Sequence, residues 1–167
     1  PRWFLGCIML PHTAEKRILK EICRQMDEAA LKLGVSIVGG HSEYTPGLTH
    51  PLIAGFTAGL VEREYVTTGG ARPGDKILMT KSVGIEGTAI LASDRREIIA
   101  KRLGEKFADR AAKFIEKISV VEEALTAFKC GGVHAMHDPT EGGLAGGLHE
   151  LADSSNTGFR IRLENIP

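Results

Sequence analysis

The chain has 167 residues, 43% of them hydrophobic, which is enough for one ordinary domain or two small ones. Its 21 basic residues are balanced by 21 acidic residues, so neither nucleic-acid binding nor a polybasic membrane patch is indicated. The three cysteines lie far apart without a CxxC pair, and neither a signal peptide nor a run long enough to span a bilayer is visible, which predicts a cytoplasmic protein with reduced thiols.

The first sixty residues contain sequence patterns typical of strands and one typical of a helix. A helix is predicted from a Thr13 cap to Leu33, because apolar residues recur at helical spacing and Gly34 provides the usual C′ residue. Polar groups and glycines fill Gly39–Gly47, which predicts a loop between two strands. The predicted strands of this part are 4–10, 35–38 and 51–61.

The composition changes over Glu62–Gly74, which is first charged and then rich in turn residues, and this change predicts a linker or domain boundary. After it, Ser82–Thr88 is a second glycine-rich loop that opens a helix. Residues 94–128 are predicted to be helical with a break near Gly104, and Ser119–Glu122 has the spacing of a capping box. Further strands are predicted at 76–80, 133–136 and 159–163.

The stretch Asp138–Leu144 leads from a short apolar segment into an amphipathic helix. Asp138 is predicted to be the helix N-cap, with Pro139 at the first helical position and Glu141 at the third. His134, in the apolar segment before it, is expected in the protein core. Four glycines in this helix need a reason, either the close approach of another backbone in a tightly packed joint or of a phosphate to free N–H groups. They are Gly142, Gly143, Gly146 and Gly147.

Three loops rich in glycine, hydroxyl and acidic residues each follow a predicted strand, where ligand sites are common: Gly39–Gly47, Ser82–Thr88 and Asp138–Gly143. None contains a P-loop or a GxGxxG motif, but together they favour a phosphorylated ligand. Glu43, His41 and Asp138 are the candidate catalytic residues, and Glu43 is the first candidate for a Mg²⁺ ligand. For both carboxylates the alternative is capping or turn stabilisation. A Ser–His–acid hydrolase is disfavoured because no GxSxG elbow occurs.

Four segments of the chain follow one another in the order and approximate spacing of a known family. They are Gly39–Leu48, Ala71–Lys81, Gly84–Ala89 and His137–Leu144. Together they resemble the aminoimidazole-ribonucleotide-synthetase (AIR synthase-related, PurM-like) superfamily. Within it, the chain is most similar to the HypE-like carbamoyl dehydratases of hydrogenase maturation.

This resemblance implies a PurM-like α+β fold with parts of two domains, in which helices pack on one face of mixed or antiparallel sheets. Residues 1–70 would be the later part of an N-terminal, ATP-binding and dimerising domain, and residues 71–167 the first part of a C-terminal domain. The implied cofactors are ATP and Mg²⁺, and the implied partners are a second copy of the chain and a carbamoyl-transfer protein. Lys81 is a candidate charge partner. The implied nucleotide-binding residues are Gly39, Gly40, Ser42, Glu43, Asp138, Thr140, Gly142 and Gly143.

The implied reaction uses ATP to phosphorylate an amide-type oxygen; in the HypE-like case a carbamoylated cysteine thiol is then dehydrated to a thiocyanate. AIR synthetase, selenophosphate synthetase and thiamine-phosphate kinase share the scaffold, and His41 and Pro139 favour the HypE-like side. A non-catalytic nucleotide-binding or dimerisation module is the alternative of a different class. The family's N-terminal aspartate-rich segment and its C-terminal cysteine tail have no counterpart here, so we expect a fragment that is inactive alone and belongs to an active parent.

Overall fold

The computed structural model describes residues 1–61 and 64–167, so Glu62 and Arg63, at the start of the predicted linker, lie outside the described residues. Two compact units divide the chain, Pro1–Glu64 and Tyr65–Pro167. In the described part of the chain, no helix combines the length and the apolar character needed to cross a membrane.

The first unit is a mixed three-stranded sheet with one helix. Its elements are β1 (Trp3–Leu10), α1 (Lys16–Leu33), β2 (Ser36–Tyr44) and β3 (Leu52–Ala58). β1 lies in the middle, parallel to β2 and antiparallel to β3. Parallel neighbours need a crossover connection, and α1 supplies it. The predicted α+β class and the three strands of this part are therefore confirmed.

The two ends of α1 differ in how well the sequence predicted them. The C-terminal end is confirmed, because Gly34 adopts a left-handed φ of 65° and its N–H donates to the carbonyls of the last turn. The Thr13 cap is wrong. The Ala14 N–H donates to the Pro11 carbonyl at 2.9 Å, so Thr13 lies in a turn before the helix, and Glu15 takes the N-cap position without a side-chain bond.

The sheet is covered on one face only. Leu10 is 1% exposed, and Met26 of α1 packs against Gly6, where a Cβ would lie 2.8 Å from the methionine methyl carbon. Side chains alternate between the faces of a strand, so the opposite face carries Leu5, which pairs with Phe56 of β3. These two side chains are 43% and 64% exposed. The first unit thus leaves one apolar sheet face open.

β2 is longer than predicted, and most of the expected Gly39–Gly47 loop is strand. It pairs with β1 from Leu5–Gly39 to Leu10–Tyr44, after a register shift between Phe4 and Leu5. Gly40 explains the extension, because a Cβ there would lie well inside van der Waals contact of the Gly6 carbonyl oxygen. The glycine therefore allows two backbones to approach, which is a structural role that propensity alone does not show.

The second unit is built from short helices in its described residues. Their bounds are α2 (Ile85–Asp94), α3 (Arg96–Leu103), α4 (Glu105–Ala112), α5 (Val121–Cys130) and α6 (Gly143–Ser154), with 3₁₀ turns at Lys113–Lys117 and Leu163–Asn165. The predicted break at Gly104 is confirmed, since this residue separates α3 from α4 with a φ of 93°. Small side chains form the contact between α2 and α4: Ala89, Ala92, Ala108 and Ala111 are buried.

Several expected features of this unit do not form. No strand occurs among its described residues, so the strands predicted at 76–80, 133–136 and 159–163 are wrong. Strand propensity reflects packing against paired neighbours, and these segments lack a hydrogen-bonded ladder within the unit. The Ser119 capping box is also wrong: Val120 is the N-cap of α5 without a side-chain bond, and the Ser119 carbonyl instead accepts a hydrogen bond from Lys81 Nζ.

Candidate functional site

The first group of candidate residues lies on β2 and faces solvent. His41 and Glu43 share one side of the strand, with His41 Nε2 3.6 Å from Glu43 Oε2. The hydroxyl of Thr45 donates to Glu43 Oε1 at 3.1 Å. The side chain of Glu43 remains 50% exposed, so its carboxylate is oriented but still accessible. Ser42, one residue along the strand from each, is directed to the other face of the sheet.

Glu43 is the residue of this group that could hold a metal ion, and it would do so as a single accessible carboxylate. In the described residues, no group of three histidine, cysteine or acidic side chains is arranged to hold a metal ion. Mg²⁺ usually keeps several waters and takes one or two carboxylates together with substrate phosphates. A single accessible carboxylate such as Glu43 meets that requirement.

The second group lies before α6, and its predicted capping is wrong. The helix begins at Gly143 with Gly142 as N-cap, and no side chain caps it. Gly142 and Gly143 have φ angles of 77° and 61°, which a right-handed helical turn cannot contain, so the helix cannot begin at Pro139. The carboxylate of Asp138 has no partner among the described residues and is exposed.

The two later glycines of α6 allow the preceding segment to fold back on the helix. A Cβ on Gly147 would lie 2.5 Å from Pro139 Cβ, and one on Gly146 would lie 3.0 Å from the Glu141 carbonyl oxygen. The close approach of another backbone, one of the two expected reasons, therefore accounts for Gly146, whereas Gly147 makes room for the side chains of Pro139 and His137. Glycine is needed here for packing, whatever ligand the preceding loop meets.

Two histidine–carboxylate pairs anchor the segment before α6. His137 Nε2 lies 2.6 Å from Glu150 Oε2, and its Nδ1 lies 3.5 Å from the Thr68 hydroxyl. His134 Nδ1 lies 2.9 Å from Asp75 Oδ2. The sequence missed both pairs, because the partners are far apart along the chain and no motif links them. The expectation of a core position for His134 is wrong, since its side chain is 32% exposed.

Lys81 is held inside its own unit. Its φ is 61°, unusual for a residue with a side chain, and its Nζ lies 2.7 Å from Glu123 Oε1. The hydrogen bond from Lys81 lowers the pKa of the Glu123 carboxyl. This pairing replaces the solvated lysine that a strand end usually carries. The positive charge of Lys81 is therefore paired with a carboxylate of α5.

The Asp75–His134 pair makes a testable contribution to acid stability. The hydrogen bond from His134, and then that from the Arg72 backbone N–H, lowers the pKa of Asp75. A carboxyl whose pKa is lower in the folded state stabilises the fold above its unfolded pKa, about 4, and loses that contribution as the pH falls through the folded value. We expect the melting temperature of the wild type to fall more steeply below about pH 4 than that of Asp75→Asn.

Thermal denaturation over a pH series measures this difference, and Glu141→Gln is the control because that exposed side chain has no partner among the described residues. Parallel curves for the wild type and Asp75→Asn would show that the pair does not titrate with folding.

These features define an α+β protein of two compact units, each carrying a glycine-rich group of accessible polar residues. Residues 1–61 match the family model described as AIR synthase related protein, N-terminal domain, and residues 72–167 match the C-terminal domain of the same family. The chain belongs to the AIR synthase related protein family, as its motifs predicted.

The names of the curated relatives describe more than one activity. A putative hydrogenase expression/formation protein of Methanocaldococcus jannaschii is 29% identical over 161 residues, which is 96% of this chain and 45% of the relative. Carbamoyl dehydratase HypE of Rhizobium leguminosarum bv. viciae is 30% identical, over 89% of this chain and 41% of its own. Selenide, water dikinase of Myxococcus xanthus is 29% identical, over 100% and 45%. The chain thus spans less than half the length of these relatives.

Solved structures confirm a PurM-like fold of the HypE type. A HypE–HypF complex superposes with a TM-score of 0.76 at 24% identity, covering 100% of this chain and 53% of the matched one. HypE in complex with ATP superposes with a TM-score of 0.67 at 27% identity, covering 93% and 44%.

Proposed function

We propose that this chain is part of an ATP-dependent enzyme that activates an amide-type oxygen by phosphoryl transfer, in the manner of HypE. The observation that carries the proposal is the loop before α6, where the Asp138 carboxylate and the Thr140 hydroxyl are exposed and unpaired in the described structure. Polar groups that stabilise no local structure are available to a ligand. The similarity to HypE in complex with ATP, at 27% identity, names the ligand class.

We propose a nucleotide-binding role for each of the two groups of residues, taken separately within its own unit. On β2, Gly39, Gly40 and Glu43 would contact the nucleotide, and Glu43 would hold Mg²⁺ beside the phosphates. Ser42, whose side chain lies on the other face of the sheet, would contact the nucleotide only through its backbone. From the loop before α6, Asp138 and Thr140 with the N–H group of Gly142 would contact phosphate or substrate, whereas the Gly143 N–H already donates to the Thr140 carbonyl. Phosphoryl transfer needs positioning and charge neutralisation more than covalent chemistry by the protein. These groups would supply the positioning, and the Mg²⁺ held by Glu43 would supply the neutralisation.

The proposed substrate is a carbamoylated cysteine thiol of a hydrogenase-maturation partner. The carbamoyl oxygen attacks the γ-phosphoryl group, and ADP leaves. The carbamoyl oxygen then leaves as part of the phosphate, and the nitrogen gives up both of its protons. The carbamoyl group has thus lost the elements of water and become a thiocyanate, while ATP has become ADP and phosphate. His41 and Asp138 are the candidates for accepting those protons. A partner that donates the carbamoyl group is part of the proposal.

An ATPase assay tests this function on the full-length protein, with and without a carbamoylated thiol peptide. We expect the peptide to stimulate ADP release and to appear as a product lighter by one water. The second candidate is selenophosphate synthesis, favoured by the selenide, water dikinase that matches 100% of this chain. ATP consumption that responds to selenide and not to the peptide, with AMP as the nucleotide product, would replace the first function by the second. If neither the peptide nor selenide induces ATP turnover, the remaining hypothesis is a non-catalytic nucleotide-binding or dimerisation module.

We also propose that the open sheet face of the first unit pairs two copies of the protein. Leu5 and Phe56 lie on this face beside a hollow of about 370 Å³ that Cys7 and His41 also line. Exposed apolar patches of this kind mark association surfaces. We predict that the full-length protein is a dimer and that Phe56→Glu makes it monomeric, because a charge would be buried without a partner.

Sedimentation velocity measures the change in mass. Leu60→Glu is the matched control, since Leu60 is as exposed at 63% but lies outside the strands. A wild-type protein that sediments as a monomer, or a Phe56→Glu variant that remains a dimer, would refute this interface.

A further inference from the structure

The loop that carries Asp138 and Thr140 is not held by helix capping, so another contact must fix its position. Asp138 bonds no backbone N–H of α6, and the helix starts only at Gly143. The loop has two backbone hydrogen bonds, from the Gly143 N–H to the Thr140 carbonyl at 3.2 Å and from the Gly146 N–H to the Gly142 carbonyl at 3.1 Å. Neither involves Asp138, and each contributes about 1 kcal/mol, which is little to hold an exposed loop in one conformation.

The strongest contact at the start of the loop is made by His137, the residue before Asp138. Its side chain is 19% exposed, and its Nε2 lies 2.6 Å from Glu150 on the third turn of α6. Nδ1 faces the Thr68 hydroxyl at 3.5 Å, so both ring nitrogens have polar neighbours. The ring also packs on the helix, because a Cβ on Gly147 would lie 3.1 Å from its Cδ2. The imidazole is thus fixed in both position and plane.

The segment upstream of His137 is fixed independently. The Met136 N–H donates to the Thr67 carbonyl at 3.1 Å, and His134 is paired with Asp75. The chain therefore enters the loop from a fixed point, and the His137–Glu150 contact ties that point to α6. Because Glu150 is half-exposed and unused by any other contact in the described residues, it has no evident role except to hold His137.

We infer that His137 and Glu150 are positioning residues, which set the geometry of the Asp138–Gly143 loop for the ligand of the proposed site. Glu150 acts through His137 and does not touch the ligand. The inference rests on the proposed function for its ligand, and on the His137–Glu150 contact for its geometry. A close polar contact between two side chains, here 2.6 Å from His137 Nε2 to Glu150 Oε2, is the kind of support that keeps a binding group within the narrow tolerance that a site requires.

The test uses the full-length protein with Mg–ATP as the probe, by isothermal titration calorimetry. We expect Glu150→Ala and His137→Ala each to weaken binding about tenfold, the size of effect that follows from losing one supporting polar contact. Glu150→Gln should restore most of the affinity, because the amide oxygen can take the place of the carboxylate oxygen that lies 2.6 Å from His137 Nε2. His149→Ala, on the exposed neighbouring position of the same helix, is the control.

Whether Glu150→Ala lowers or raises the affinity for Mg–ATP distinguishes a positioning role of Glu150 from a purely electrostatic one. Removing a negative charge near an anion site would leave affinity unchanged or raise it if Glu150 acted only through its field. An affinity for Mg–ATP equal to or above that of the wild type in Glu150→Ala therefore overturns the inference, and so does a Glu150→Gln variant as weak as Glu150→Ala.

Amide hydrogen exchange of Gly143 and Gly146 keeps the inference testable without ATP. We expect faster exchange in Glu150→Ala and wild-type exchange in Glu150→Gln. If the wild type does not bind Mg–ATP, the proposed function fails while this exchange pattern still supports the positioning role. Unchanged exchange in Glu150→Ala overturns the positioning role, whether or not ATP binds.

Discussion

Replacing Gly40 with alanine is expected to destabilise the first unit by about 3 kcal/mol, as forced overpacking does in other well-packed structures. The new Cβ would clash with the Gly6 carbonyl oxygen, which is backbone and cannot rotate away. The two strands would have to separate where β1 and β2 pair through Gly6 and Gly40. Denaturant unfolding followed by the fluorescence of Trp3, the single tryptophan of the chain and a residue of β1, measures this loss directly.

Gly39→Ala is the matched control, one residue away on the same strand. Its Cβ would meet only Leu5 Cδ2 at 3.2 Å, the end of a flexible and half-exposed side chain. We expect a change within about 1 kcal/mol, since that side chain can move. Equal destabilisation by both substitutions would show that general loss of glycine, and not the close approach of β1 and β2, is responsible.

Replacing Asp138 with asparagine is expected to lower kcat/KM for ATP turnover about 100-fold while leaving the melting temperature unchanged. The catalytic loss follows from the proposed function, because the substitution removes the charge of the carboxylate that is proposed to contact phosphate or substrate. The unchanged stability follows from the structure alone. An aspartate that capped the helix would contribute about 1 kcal/mol, and Asp138 makes no capping bond.

Steady-state kinetics and thermal denaturation of the full-length protein measure the two halves of this prediction. Asp153→Asn removes an exposed charge from the same helix region and should change neither quantity. If Asp138→Asn lowers the melting temperature, Asp138 does stabilise the helix N-terminus as a cap. If Asp138→Asn turns over ATP as fast as the wild type, Asp138 is not part of the site.

The local patterns of the chain determined much of the first unit. The strands around 4–10 and 51–61, the end of α1 at Gly34 and the break at Gly104 follow from apolar spacing and from glycine, which are local properties. The four motifs also determined the family, because their order along the chain is itself the evidence. The α+β class could be predicted without knowing which strands pair.

Only the tertiary structure decided what the glycines and histidines do. Gly40 extends β2 through the expected loop because β1 lies beside it, and Gly147 admits Pro139 against α6. His137 and Glu150, like His134 and Asp75, meet through the fold and have no signature along the chain. Asp138 has the ideal sequence position for a cap, but two consecutive left-handed glycines delay the helix and leave its carboxylate free. Local preferences of about 1 kcal/mol yield to such contacts, because a steric clash or a missing backbone hydrogen bond costs more than a cap contributes.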